Sequence, residues 1–176
     1  IKPVTDELLA DAGVLHITGH ALLNEAGAEG IASLIARARA AGVTVSVAPG
    51  SAGFIADYGP ERFLAAMAGA DILFPSLDEG RLLTGRDSAD EIGPALGFDT
   101  VVLTQGAEGL TVFHDGVATH VDAVTVPVVD PTGAGDAFCA GYLDEFVHTG
   151  DVVAAARAGA RVASRAVGVI GGRPRP

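Results

Sequence analysis

The chain reads as an α/β protein in which a mainly parallel sheet is covered by helices. Three observations predict this. Nearly half of the 176 residues are apolar, short β-branched runs alternate with stretches whose apolar residues recur at helical spacing, and glycine or proline marks most of the joins. A chain of this length buries one substantial core, so residues 1–176 are expected to form a single domain.

The opening residues suggest a helix leading into a strand at 14–18, Val14-Leu15-His16-Ile17-Thr18. Apolar residues then recur at Ile31, Leu34, Ile35 and Ala38, one face of a helix that Gly42 ends. Val43-Thr44-Val45-Ser46-Val47 is a second strand, followed by a Pro- and Gly-rich turn that contains Ser51. A helix begins near Pro60, where proline suits the first turn. The third strand is 72–74, and a short helix over 78–83 stops at Gly85. Thr100-Val101-Val102-Leu103-Thr104 has the continuous β-branched character of a strand buried on both faces. This alternation implies right-handed crossovers and ligands near the carboxyl ends of the strands. Segments 110–113 and 117–121, joined across His114-Asp115-Gly116, form a hairpin. Helices over 133–147 and 151–167 close the chain, with Gly150 and Asp151 as stop and cap, and the tail 173–176 is expected to fray.

Composition narrows the function. Eleven basic against 22 acidic residues give a net charge of −11, the wrong sign for nucleic acid or anionic lipid, so neither is expected as a partner. No apolar run approaches the roughly 20 residues that cross a bilayer, and nothing at the start resembles a signal peptide. The single cysteine, Cys139, reads as a small core residue and fits a cytoplasmic protein. The chain does not begin with Met, so an upstream segment is expected.

The chemistry concentrates in Val124-Thr125-Val126-Pro127-Val128-Val129-Asp130-Pro131-Thr132-Gly133-Ala134-Gly135-Asp136-Ala137-Phe138, read as a strand turning into a helix. Glycines let the backbone approach a ligand, and the first N–H groups of the helix, aided by its dipole, make a place for phosphate oxygens. Asp136 would stand in that first turn. Phosphoryl transfer asks for an anion cradle, a metal and a group that accepts the proton of the acceptor hydroxyl. The plainer alternative is a tight turn with a helix-start aspartate.

The string 130–141 resembles the C-terminal signature of the ribokinase-like, or PfkB, carbohydrate kinases. That resemblance implies a three-layer, ribokinase-like fold, ATP as donor and a small sugar or polyol as acceptor. It implies that Asp136 is the catalytic base, and that the turn Gly133, Ala134 and Gly135, with the N–H of Asp136, forms the anion hole. Asp130 and Thr132 would help hold a monovalent cation, potassium. A second stretch, Asp71 to Gly85, is similar to the family's magnesium and phosphate segment: Glu79 fits the glutamate that serves Mg2+ through water, while Ser76 stands where relatives carry Asn. The alternative for Glu79 is a solvated charge. A third, Val101-Val102-Leu103-Thr104-Gln105-Gly106-Ala107-Glu108-Gly109, is similar to the family's strand and turn over the nucleotide and offers Thr104, Gly106 and Gly109 for ATP contact, or simply a glycine turn entering a hairpin. Residues 8–23 resemble the family's middle region. Ala48 departs from an Asp common in relatives, and the family's lid and most sugar contacts belong to a part upstream of residue 1.

Other motifs fail. The only lysine is Lys2, so no P-loop exists, and Gly133-Ala134-Gly135 lacks the third glycine of a dinucleotide fingerprint. Pro49-Gly50-Ser51-Ala52-Gly53 does not make a nucleophile elbow, which leaves Ser51 as a turn residue. His16 and His20 bracket a strand end, where their spacing does not serve a metal, and His114, His120 and His148 read as surface residues. The sequence thus points to an ATP-dependent carbohydrate kinase of the cytoplasm, a homodimer being compatible with it. A non-catalytic nucleotide-binding or regulatory domain of the same fold, or a nucleoside kinase, are the alternatives.

Overall fold

A computed structural model describes residues 4–24 and 27–171; the 173–176 tail lies outside the described residues. The chain divides into two compact units, Ile1–Leu103 and Thr104–Pro176.

In the first unit, helix α1 (Asp6–Ala10) is capped by the Thr5 hydroxyl and leads to strand β1 (Val14–Thr18). Helix α2 (Gly27–Ala40) buries Ile31, Ile35 and Ala38, three of the four residues whose spacing predicts it, and Gly42 at φ 75° turns the chain into β2 (Thr44–Ala48). The expected turn after β2 is instead a helix, α3 (Ala52–Tyr58). Ser51 is its N-cap, accepting the Phe54 N–H at 3.1 Å, and not a turn residue. Gly59 at φ 102° separates it from α4 (Pro60–Ala66), which has proline in its first turn as expected. Strand β3 (Ile72–Leu73) and helix α5 (Leu77–Thr84) follow, then a helix the sequence did not announce, α6 (Ala89–Ala95), and β4 (Thr100–Thr104). Pro94 masks α6 as a breaker, yet it sits in the last turn while Ile92 is fully buried. The four strands lie in sequence order, all parallel, with Ser46 opposite Ile72 and Ile72 opposite Thr100. Their core is Val45, Val47, Leu73 and Leu103, joined by Ile55 and Phe63 from the helices. His16 shares a hydrogen bond with the buried Ser46 at 2.9 Å, and His20 packs on Phe54.

The second unit holds the hairpin of β5 (Leu110–His114) and β6 (Val117–Val121). Asp115 and Gly116 both have positive φ, 49° and 75°, the geometry of the two-residue turn that suits strand twist. Helices α7 (Ala134–Thr149) and α8 (Val152–Val167) are separated by Gly150, left-handed at φ 69°, and by Asp151, whose carboxylate caps Val153 and Ala154 at 2.9 Å. The helices approach closely through glycine: a Cβ on Gly141 would lie 2.6 Å from Val162, and one on Gly159 2.8 Å from the Phe138 carbonyl. Cys139 is buried in α7. The strand expected ahead of the glycine turn does not form. Residues 122–128 are irregular, because Pro127 has no N–H for a ladder and the valines line a cavity or face solvent. Among the described residues no helix is long and apolar enough to cross a membrane.

Candidate active site

The start of α7 is built to be open. Its N-cap, Gly133, is left-handed at φ 78° and has no side chain to cap with. The Ala134 N–H donates to the Pro131 carbonyl at 3.1 Å, and the first helical bond runs from the Ala137 N–H to Gly133. Ala134 therefore has its N–H occupied, whereas those of Gly135 and Asp136 have no partner among the described residues. Asp136 is exposed at the third helical position. A helix of this length presents its positive dipole end there, which favours a bound anion.

Beside this turn lies a cavity of about 410 Å³, contained in the second unit and mostly apolar. It brings together five of the residues singled out from sequence: Thr104, Gly106 and Gly109 on one side, Ala134 and Gly135 on the other. Gly109 is needed for its shape, since at φ 87° an added Cβ would run into the Val121 carbonyl, and the Gln105 N–H to Gly109 carbonyl bond of 2.8 Å closes the turn. The sequence reading missed the third wall, Ala160, Ala163, Ser164 and Val167 of α8. Their spacing of three and four residues along one helical face was the available signal.

Asp130 and Thr132 lie outside the cavity lining and bond to one another: Asp130 Oδ1 accepts the Thr132 N–H, while Oδ2 accepts the N–H of Gly171, each at 2.9 Å. The Thr132 hydroxyl, then the N–H groups of Gly171 and Thr132, hold the Asp130 carboxyl below its usual range.

Glu79 belongs to the first unit. It is 8 % exposed, so it is not the solvated charge of the plainer alternative. Its Oε2 accepts the Ser76 N–H at 2.7 Å, and its own N–H donates to Ser76 Oγ at 3.3 Å, a complete capping box on α5. Ser76 thus has a structural task. Oε1 has no partner among the described residues and is the atom that fits a water of hydrated magnesium. No group of three or more His, Cys, Asp or Glu among the described residues could enclose a metal by itself.

Fold and turn together are of the ribokinase-like kind. A profile described as pfkB family carbohydrate kinase matches residues 2–176, and the chain belongs to that family. A nucleoside kinase of Methanothermobacter thermautotrophicus is 33 % identical over 132 residues, 72 % of this chain and 40 % of the relative. Among solved structures, adenosine kinase from Sinorhizobium meliloti matches with a TM-score of 0.87 and 26 % identity over 97 % of this chain and 54 % of its own. Fructokinase from Vibrio cholerae, in its fructose-, ADP- and calcium-bound form, matches with a TM-score of 0.81 and 25 % identity over 93 % and 59 %. The chain spans about half the length of these proteins.

Proposed function

We propose that this chain is the nucleotide-binding, base-carrying part of a cytoplasmic ATP-dependent kinase, residues 1–176 working as one part, which phosphorylates a hydroxyl of a sugar, a polyol or a nucleoside. The observation that carries this is one cavity whose lining joins Thr104, Gly106 and Gly109 to Ala134 and Gly135, the last of these one residue before the exposed Asp136. Its apolar lining suits a nucleobase. The N–H groups of Gly135 and Asp136 suit phosphate oxygens, with Gly133 providing the left-handed turn that exposes them.

In the proposed reaction Asp136 takes the proton of the acceptor hydroxyl. The hydroxyl oxygen bonds to the γ-phosphorus, the bond from that phosphorus to the bridging oxygen breaks, and ADP departs with the electron pair. Magnesium, when bound, neutralises charge on the phosphates, and Glu79 is the residue here that would hold its water shell. A potassium ion at Asp130 and Thr132 would share carboxylate oxygens that each already accept one N–H group, from Thr132 and from Gly171. The matched fructokinase and the nucleoside and adenosine kinases support an acceptor of the sugar or nucleoside class.

The test is ATP titrated into the isotope-labelled chain and followed by amide NMR. Thr104, Gly106, Gly109, Ala134 and Gly135 are expected to shift together. Binding that leaves these five unmoved, or no binding, overturns the assignment. The protein at its natural length should form ADP only when a sugar or nucleoside from a test panel is present.

A further inference from the structure

Asp130, just ahead of the glycine turn, reaches in two directions. Through Oδ1 it holds the Thr132 N–H and through Oδ2 the Gly171 N–H. The backbone beside it is tied to the same place, since the N–H groups of Val129 and Asp130 both donate to the carbonyl of Val167, the last residue of α8, at 2.8 and 3.2 Å. Pro131 has no N–H to give. Between residue 130 and the left-handed Gly133 the path of the chain is therefore set by this carboxylate and by the Pro131 carbonyl, which accepts from Ala134. Gly171 takes φ 88°, a conformation side chains rarely adopt, and this turns its N–H toward Asp130. An ionised carboxylate gripping N–H groups makes bonds roughly twice as strong as neutral ones.

We infer that Asp130 is a positioning residue, whose carboxylate clasps the segment after α8 to the phosphate turn and so fixes where the N–H groups of Gly135 and Asp136 stand relative to the cavity wall that α8 builds. This rests on the turn being the phosphate site. Ala160, Ala163, Ser164 and Val167 keep their places on α8 without the clasp, whereas the turn, with proline and glycine in it, has little else to hold it. Loss of the clasp should therefore weaken the grip on phosphates and leave the grip on the nucleoside. Mere structural damage would weaken both.

Calorimetry on the whole 176-residue chain with ATP and, separately, adenosine reads this difference. Asp130→Asn preserves volume and one acceptor oxygen but sets amide hydrogens against one of the two N–H groups; it should weaken ATP binding about tenfold, the scale of one charge-assisted hydrogen bond. Asp130→Ala should weaken it further. Adenosine affinity should hold in both, and the Gly171 amide should exchange faster in the variants than in the wild type. Equal loss for ATP and adenosine overturns the clasp, as does unchanged ATP affinity. A gain in ATP affinity also overturns it, since Asp130 would then act only by repelling phosphate. If wild-type ATP binds no more tightly than adenosine, the turn is not a phosphate site, and that failure is separate from the others.

Discussion

Helices α5 and α7 each carry an acidic residue at the third helical position, Glu79 and Asp136, and use it in opposite ways. At α5 the N-cap is serine, the side chain and backbone of Ser76 and Glu79 satisfy each other, and the carboxylate is buried. At α7 the N-cap is a left-handed glycine, the carboxylate is exposed, and two N–H groups have no partner among the described residues. A closed helix start adds stability; an open one, wetted by solvent so that its donors cost little, keeps its dipole and donors for a ligand. The position of an acidic residue on a helix therefore says less about its role than the residue three places before it.

The sharpest way to break this contrast is at Asp136. Asp136→Asn, in the protein at its natural length, should lower turnover at least about a hundredfold, the lower end of what general-base catalysis contributes, with nucleotide affinity nearly unchanged. A steady-state assay returning turnover within about tenfold of wild type would make α7 an ordinary helix start.

An open start means that α7 must be held by its body, and Gly159 tests that. Alanine there gains about 1 kcal/mol in helix propensity but places a Cβ 2.8 Å from the Phe138 carbonyl, an overpacking cost of about 1–3 kcal/mol against backbone that cannot swing aside. Gly159→Ala should lower the thermal midpoint. An unchanged or raised midpoint would mean that the helices do not meet through this glycine.

At the closed start two substitutions separate cap from charge. Ser76→Ala should cost about 1 kcal/mol in denaturant unfolding, the usual worth of an N-cap, with the magnesium requirement unmoved. Glu79→Gln keeps an oxygen to accept the Ser76 N–H, so stability should change little while the magnesium concentration needed for activity rises. Should Glu79→Gln leave that concentration where it was, Glu79 is a cap and nothing more.

The smallest effect is at α6, where serine and glutamate are again three residues apart but the serine hydroxyl bonds the carboxylate rather than capping the backbone. Ser88 Oγ donates to Glu91 at 2.7 Å, and this hydroxyl, then the Ser88 N–H, lowers the Glu91 carboxyl from its ordinary range. A carboxyl depressed in the folded state contributes stability above its unfolded pKa of about 4.3, and the contribution is lost as pH falls through the folded value. An NMR titration of Glu91 should show the low midpoint, and Ser88→Ala should move it up. A midpoint that Ser88→Ala leaves in place would remove the hydroxyl as its cause.

Strand β4 formed over the residues its β-branched run marked, since burial on both faces leaves a pattern no surface element shares. The hairpin was legible in Asp115-Gly116, because few residues tolerate positive φ at both turn positions. Helix α3 was not, since Gly50 and Ser51 look alike whether they end a strand or cap a helix. The valines of 124–129 misled in the other direction, because β-branched residues make a strand only where a neighbouring strand accepts their backbone. At the site, Asp136 and its glycines stood out from sequence, whereas the α8 wall did not.

By itself the sequence determined the alternation of strands and helices, the glycines that force the turns, and the place of a carboxylate in the first turn of α7. These are local, written in neighbouring residues through sterics, spacing and capping. Only the tertiary structure decided that Thr104, Gly106 and Gly109 share a cavity with Ala134 and Gly135, that Glu79 is buried in its own cap, and that Asp130 reaches Gly171, 41 residues away. Those pairings depend on how helices and loops pack, and packing is set by many weak contacts between residues distant in sequence, none of which carries a local signal.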